Sequence, residues 1–287
     1  MATGHHFMIK EIKKITNKNV DFLNLQENHL SIQLRLDGFS FCVYNTLQKE
    51  LGVFAVYEFE NEPISPYKYL ELVTQLYNEE IILQVKYNSV SVSHSNNLVT
   101  QVPKPLFDKN NLSNYLQHTV KVLENDYIAY DEVANSEIIN VYIPFVNINN
   151  FLLDTYGTFI YKHSSTILIE KLLNNYKNFE GDFCFVNVSN SNFEVIILKN
   201  KKLALFNSFS FSTKEDFIYY ILFTAEQLNL NPEEFNLVLL GAIEKESELF
   251  TILYQYIRNI VFYEPAVHPS ILNDISSHSH FTLLNQL

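Results

Sequence analysis

Apolar and polar side chains alternate through Leu30-Ser31-Ile32-Gln33-Leu34-Arg35-Leu36, so four aliphatic residues share one face and the segment is predicted to be a strand. Asp37-Gly38 tolerates a tight turn, and the apolar runs 39–45 and 52–59 complete a three-stranded meander. Ser65-Pro66 pairs an N-cap residue with proline at the first helical position. Leu70, Val73 and Tyr77 then recur at helical spacing. A further strand is predicted over 81–87.

The same order returns roughly 150 residues later. Runs 183–188, 193–199 and 203–209 predict three strands, with turns at Asn190-Ser191 and Asn200-Lys201. Ser212 and Glu215 have capping-box spacing, and Phe217, Ile221, Ala225 and Leu228 mark one helix face. A strand over 236–240 follows, and Leu249, Leu253 and Tyr256 mark another helix. A β-β-β-α-β-α unit thus occurs twice. Between the copies, 96–114 carries Pro103 and Pro105 and is expected to be loop and linker; 138–143 is expected to be a strand, and 148–154 and 164–177 helices. Three segments follow: a flexible leader and entry segment over 1–28, a first half over 29–145 and a second half over 146–287.

Composition narrows the function classes. The chain has 287 residues, a net charge of −12 and two arginines, Arg35 and Arg258, which opposes a nucleic-acid groove or an anionic membrane surface, since both need clustered cations. No apolar run reaches the roughly 18 residues of a membrane span. Lys10, Lys13, Lys14 and Lys18 interrupt any apolar signal core, so a cytoplasmic location without direct membrane insertion is expected. Cys42 and Cys184 lie in apolar strands without a C-x-x-C pair and are expected to be buried free thiols. Six glycines leave no room for G-x-G-x-x-G or a Walker loop.

Metal and nucleophile patterns are equally sparse. His5 and His6 in the leader lack a third ligand, and His278 and His280 lie two apart in a polar tail, so no metal is expected. His163-Ser164-Ser165 opens a helix, with a serine as the expected cap and His163 bonded locally. No G-x-S-x-G elbow exists to make it a nucleophile pair. Glu244, Glu246 and Glu248 are expected in a solvated first turn.

A duplicated β-β-β-α-β-α unit resembles the actin-like ATPase superfamily of actin, sugar kinases and heat-shock chaperones, an α/β (ribonuclease H-like) fold with two halves flanking a cleft. The strings Leu34-Arg35-Leu36-Asp37-Gly38-Phe39-Ser40-Phe41, Tyr161-Lys162-His163-Ser164-Ser165-Thr166 and Thr213-Lys214-Glu215-Asp216-Phe217-Ile218-Tyr219-Tyr220 resemble an uncharacterised bacterial family, a domain of unknown function with that fold. The resemblance implies a nucleotide between the halves. Asp37 would hold a magnesium-bound water, Gly38 and Ser40 would lie at the phosphates, Asn190 and Ser191 would face them, and Gly241 would lie near the adenosine. The motifs are nevertheless eroded. The first hairpin departs from D-x-G, the second has neither Asp nor Gly, and the adenosine turn has one glycine instead of two. No catalytic residue is assigned, and no acidic base stands out for a sugar or acetate kinase. The reading is a non-catalytic or weakly nucleotide-binding scaffold with a protein or peptide partner at the cleft or a sheet edge; the alternative is an enzyme that binds or hydrolyses ATP with magnesium.

Overall fold

The computed structural model describes residues 9–17, 27–60, 65–265 and 275–286. Residues 1–7, with His5 and His6, and the 266–274 part of the tail lie outside the described residues. In the first half, β1 (Ile9–Thr16), β2 (Asn28–Arg35), β3 (Gly38–Asn45) and β4 (Glu50–Phe59) are followed by α1 (Pro66–Glu79) and β5 (Ser89–Ser95). A small antiparallel sheet, β6 (Val99–Pro103), β7 (Ala129–Glu132) and β8 (Ile138–Tyr142), is inserted next together with α2 (Leu112–Leu116). α3 (Val146–Tyr156), β9 (Ile160–His163) and α4 (Ser164–Tyr176) follow. The second half runs β10 (Phe183–Val188), β11 (Asn192–Lys199), β12 (Lys202–Ser210), α5 (Lys214–Gln227), β13 (Asn236–Gly241), α6 (Glu248–Tyr256), β14 (Asn259–Phe262) and α7 (Phe281–Leu284).

The duplication is visible in the sheets. The first has the order β1-β4-β3-β2-β5-β9 and the second β12-β11-β10-β13-β14. Each is an antiparallel meander whose first strand also pairs in parallel with the strand after the helix (β2 with β5, β10 with β13). Alternation aims Leu30, Ile32 and Leu34 at the core under α1 and α3, beside Tyr69, Leu72, Val73 and Leu76. Phe217, Ile221 and Ala225 of α5 and Leu253 of α6 cover the equivalent face of the second sheet.

Two helices cross between the halves. α4 leaves the first sheet, yet Leu168, Leu172 and Leu173 pack on Phe185, Ile196 and Val238 of the second. α7 crosses back, setting Leu283 against Cys42, Phe54 and Val56 of the first. The sheets are thus bound to one another by apolar contacts that belong to neither half alone.

Several local expectations are corrected. Residues 81–87 are not a strand: a 3-10 turn spans Ile81–Gln84, with Leu83 buried and Ile81 77% exposed, and the strand is Ser89–Ser95. The stretch 96–114 contains β6 and α2 as well as loop. α3 and β9, which follow the expected boundary at 145/146, belong with the first sheet, since β9 pairs with β5. The capping box at α5 is Thr213 with Asp216, one residue beyond the expected pair. At α4 the cap is His163 itself, whose ring accepts from the Ser165 N–H. Helix α6 is capped by Ser247, so Glu244 and Glu246 precede it and only Glu248 stands in its first turn.

Candidate functional site

The two hairpin tips converge. Leu36 and Asp37 link β2 to β3, and the Asp37 carbonyl accepts from the Phe59 N–H at 2.9 Å, which fastens the tip to β4. Residues 189–191 link β10 to β11, with the Ser189 N–H bonded to Asn192 O at 2.8 Å. Asn190 Nδ2 reaches across and donates to Asp37 Oδ2 at 3.4 Å. Arg35 Nε lies 3.0 Å from Asp37 Oδ1, a charge contact without an aligned hydrogen bond. The Asn190–Asp37 bond therefore joins the two hairpins, while Arg35 pairs with Asp37 inside the first half.

The other candidate residues are engaged in the fold. Ser40 is fully buried, its Oγ unpartnered, between Gln33 and Val56 in the register of β3. A Cβ on Gly38 would stand 2.4 Å from Tyr57 O, so close approach to β4 explains the glycine. Gly241 ends β13 at φ +82°, and a Cβ there would stand 2.1 Å from Val188 O. Its N–H donates to His278 O at 2.9 Å, while His278 Nε2 donates to Ile243 O at 2.8 Å. Tail residues 276–279 thus pack on the Gly241 turn, and Ser191 is exposed at its own turn. Asp37, Gly38 and Asn190 come together, whereas Ser40 is buried on the face of β3 opposite the α1 core and Gly241 faces the tail. The Asp37 carboxylate is paired, and the Gly241 amide is already bonded.

A buried polar cluster stands at the entry to α4. Asp131 of β7 accepts from the His163 N–H at 2.8 Å, Thr166 Oγ1 at 2.8 Å and Tyr142 OH at 3.1 Å. Burial raises the Asp131 carboxyl above its ordinary value, against the pull of those donors. His163 Nδ1 accepts from Ser165 Oγ at 2.7 Å and Nε2 donates to Asn96 O at 3.1 Å, and burial lowers the ring to about 4. Ser165 is fully buried, so the pair holds the inserted sheet to α4 and presents no nucleophile. The helix-start signal in the sequence was real, but its partners come from strands with no local cue: Asp131, and Asn140, whose Nδ2 donates to Ser165 Oγ at 3.2 Å and Thr166 Oγ1 at 2.8 Å.

One cavity of about 330 Å³ opens between α3, the start of β9 and the loop before β7, lined by Tyr127, Val146, Asn149, Asn150, Leu153, Phe159 and Tyr161. Tyr127 is 56% and Leu153 51% exposed, so apolar surface continues to its mouth. Sequence reasoning did not find it, because its walls come from separate elements. Among the described residues no group of three His, Cys, Asp or Glu is placed to hold a metal ion. No helix is long and apolar enough to cross a membrane, again among the described residues.

Residues 17–260 match a family described as protein of unknown function (DUF3822). The chain belongs to that family. No functionally curated protein matches it in sequence. A Bacteroides thetaiotaomicron protein of unknown function with an actin-like ATPase fold is similar in structure, at TM-score 0.76 and 24% identity over 87% of this chain and 95% of that one. PilM, in a PilM–PilN type IV pilus biogenesis complex, is similar at TM-score 0.56 and 12% identity over 90% and 97%. At these identities the likeness concerns fold. This DUF3822 protein has the actin-like ATPase fold, as the duplicated pattern of its sequence predicted.

Proposed function

We propose that this protein is a non-catalytic scaffold on an actin-like frame, its halves joined by side chains where active relatives of the fold place a nucleotide, with a protein partner as its ligand. The contact of Arg35 and Asn190 with Asp37 carries the reading: the carboxylate expected to order magnesium water instead links the two hairpins. The cavity beside α3 supports a partner site, because exposed Tyr127 and Leu153 flank an apolar recess suited to a side chain of a docked segment. That a neighbour of this fold was solved as a complex of PilM with PilN also supports a protein ligand.

Two experiments test the reading. Calorimetric titration with magnesium ATP is expected to give no heat, and millimolar nucleotide no thermal shift. A ligand at 100 times its dissociation constant would add about 2.7 kcal/mol, well within detection. Micromolar binding that disappears in Asp37→Ala would overturn the scaffold reading in favour of the ATP-dependent enzyme. Retention of a protein from native lysate is expected for the wild type and not for Leu153→Asp, a change at the exposed cavity mouth that leaves the core intact. No reproducible partner would count against it.

A further inference from the structure

The two halves treat equivalent sheet edges differently. In the first, the outer side of β4 is covered by β1, paired antiparallel from Ile9↔Phe59 to Thr16↔Val53. In the second, β12 holds the equivalent place outside β11, and among the described residues no strand pairs with its other side. The Phe211 N–H donates to Ser191 O at 3.0 Å, which sets the phase of the antiparallel ladder. Phe209 and Asn207 accordingly turn their backbone groups toward β11, and Phe206, Ser208 and Ser210 turn theirs outward. The Ser208 N–H agrees with that phase, since it is met by its neighbour's Asn207 Oδ1 at 2.9 Å. Edges that must stay unpaired are usually guarded by lysine or proline inside the strand. β12 opens on Lys202 and has a bulge at Ala204, where Ile197↔Leu205 gives way to Leu198↔Leu203, but beyond these its run Leu205-Phe206-Asn207-Ser208-Phe209 contains neither.

A ladder of rings leads from this edge onto α5. Phe209 stacks on Tyr220 with centroids 4.8 Å apart, Tyr220 meets Tyr219 at 5.4 Å, and Tyr219 stacks on Phe223 at 5.8 Å. Tyr219 and Phe223 are 58% and 45% exposed. Open backbone and apolar surface therefore adjoin.

We infer that this edge docks a second copy of the chain, β12 pairing antiparallel with β12 across a two-fold axis to make one continuous sheet, with the α5 rings flanking the joint. Charge selects the occupant. Lys201 and Lys202 stand at the start of the strand, Glu215 and Asp216 just past its end. Antiparallel pairing of identical strands brings the basic start of each toward the acidic end of the other, and the symmetry makes the match twice. A parallel pairing would set like ends together. Lys201 is engaged by Glu180 at 2.7 Å, Lys214 lies 3.8 Å from Glu248, and Asp216 accepts the Ser212 and Thr213 amides, so Lys202 and Glu215 are the matching pair. This inference is independent of whether the hairpins hold a nucleotide.

Sedimentation equilibrium on the full chain, from about one to one hundred micromolar, reads the outcome. The expected result is a mass rising with concentration to twice 33.5 kDa. Ser208→Pro removes an outward donor, bonded in the single chain to Asn207 Oδ1 and not to β11, and puts a ring on the open edge; it is expected to weaken the dimer at least about tenfold, with an unchanged circular dichroism spectrum. Lys202→Glu is expected to weaken it about fivefold, and Lys202→Glu with Glu215→Lys to recover it. A mass fixed at that of one chain overturns the inference. So does a dimer whose dissociation constant neither substitution moves.

Discussion

Acid should destabilise this protein early, because three buried histidines and the half-buried His280 are held as neutral rings. Burial holds His29, His163 and His280 down to about 4 and His94 to about 3; the neighbouring His163 adds to the effect at His94, and Arg35 and Lys13 add to it at His280. On unfolding each returns to about 6.5. Between those values the unfolded chain binds more protons than the native one, so this stability is full above about pH 6.5 and is lost as pH falls toward 4. From about pH 7 to about pH 5 one such ring loses about 2 kcal/mol, and four would lose about 8 kcal/mol. Relaxation and water entry reduce that sum, and about 4 kcal/mol is the working figure against a total stability of about 5–15 kcal/mol.

Asp131 and Glu194, raised by burial, oppose the trend, since a protonated buried carboxyl favours the native state. Their contribution is full below the ordinary carboxylate values and fades as pH rises through their raised ones, so it offsets the low-pH end of the histidine loss. Urea unfolding followed by far-ultraviolet circular dichroism reads the balance. With a slope of about 3 kcal/mol per molar, the midpoint should fall by more than about 1 M between pH 7 and pH 5. His280→Asn provides the residue-level check: the position has φ +56°, which asparagine tolerates, and the variant should lower the pH slope of stability by at most about 1.4 kcal/mol per pH unit. A midpoint flat across that range would refute the argument.

Three further outcomes follow from the same contacts. Gly241→Ala should cost about 3 kcal/mol through the left-handed φ and the clash with Val188 O, lowering the melting temperature by about 10 °C; an unchanged melting temperature would contradict the geometry. Asp131→Ala strands the donors of His163, Thr166 and Tyr142 and should cost about 3 kcal/mol in urea unfolding, with a neutral effect counting against the cluster as a structural joint. Cys42 and Cys184, buried with thiols pushed up to about 12, should resist an aromatic disulfide reagent until urea unfolds the chain, so rapid native-state labelling would contradict their burial.

What could be read from the sequence was whatever depends on neighbours along the chain. The Leu30-Ile32-Leu34 alternation and the Phe217-Ile221-Ala225 stripe each state a buried face, and both meanders and α5 lie where those patterns put them. β5 was harder because only one of its faces is apolar: Val90 and Val92 meet the α1 core, whereas Ser91 and Ser93 bond to Gln286 at 3.1 and 2.8 Å. Its Ser-Val alternation was the available signal, and the aliphatic run before it was more conspicuous. The candidate site divides the same way. Asp37 was recognisable as a turn residue, but its engagement by Arg35 and Asn190 depends on strand register and on the approach of a hairpin 153 positions away.

The crossing helices decide how the two halves can move. Leu168, Ile169, Leu172 and Leu173 of α4 are all buried on the far half's sheet, and at about 2 kcal/mol each their separation would cost about 8 kcal/mol. The tips meet through the exposed Asn190–Asp37 bond, worth about 1 kcal/mol, since the Arg35–Asp37 pair lies within the first half, so that bond cannot be what holds the halves together. A motion that opened the cleft would therefore have to leave α4 and α7 in place and pivot along them, parting the hairpin tips first. The Asn190–Asp37 bond then marks where the halves would first part, while the crossed helices supply the cohesion.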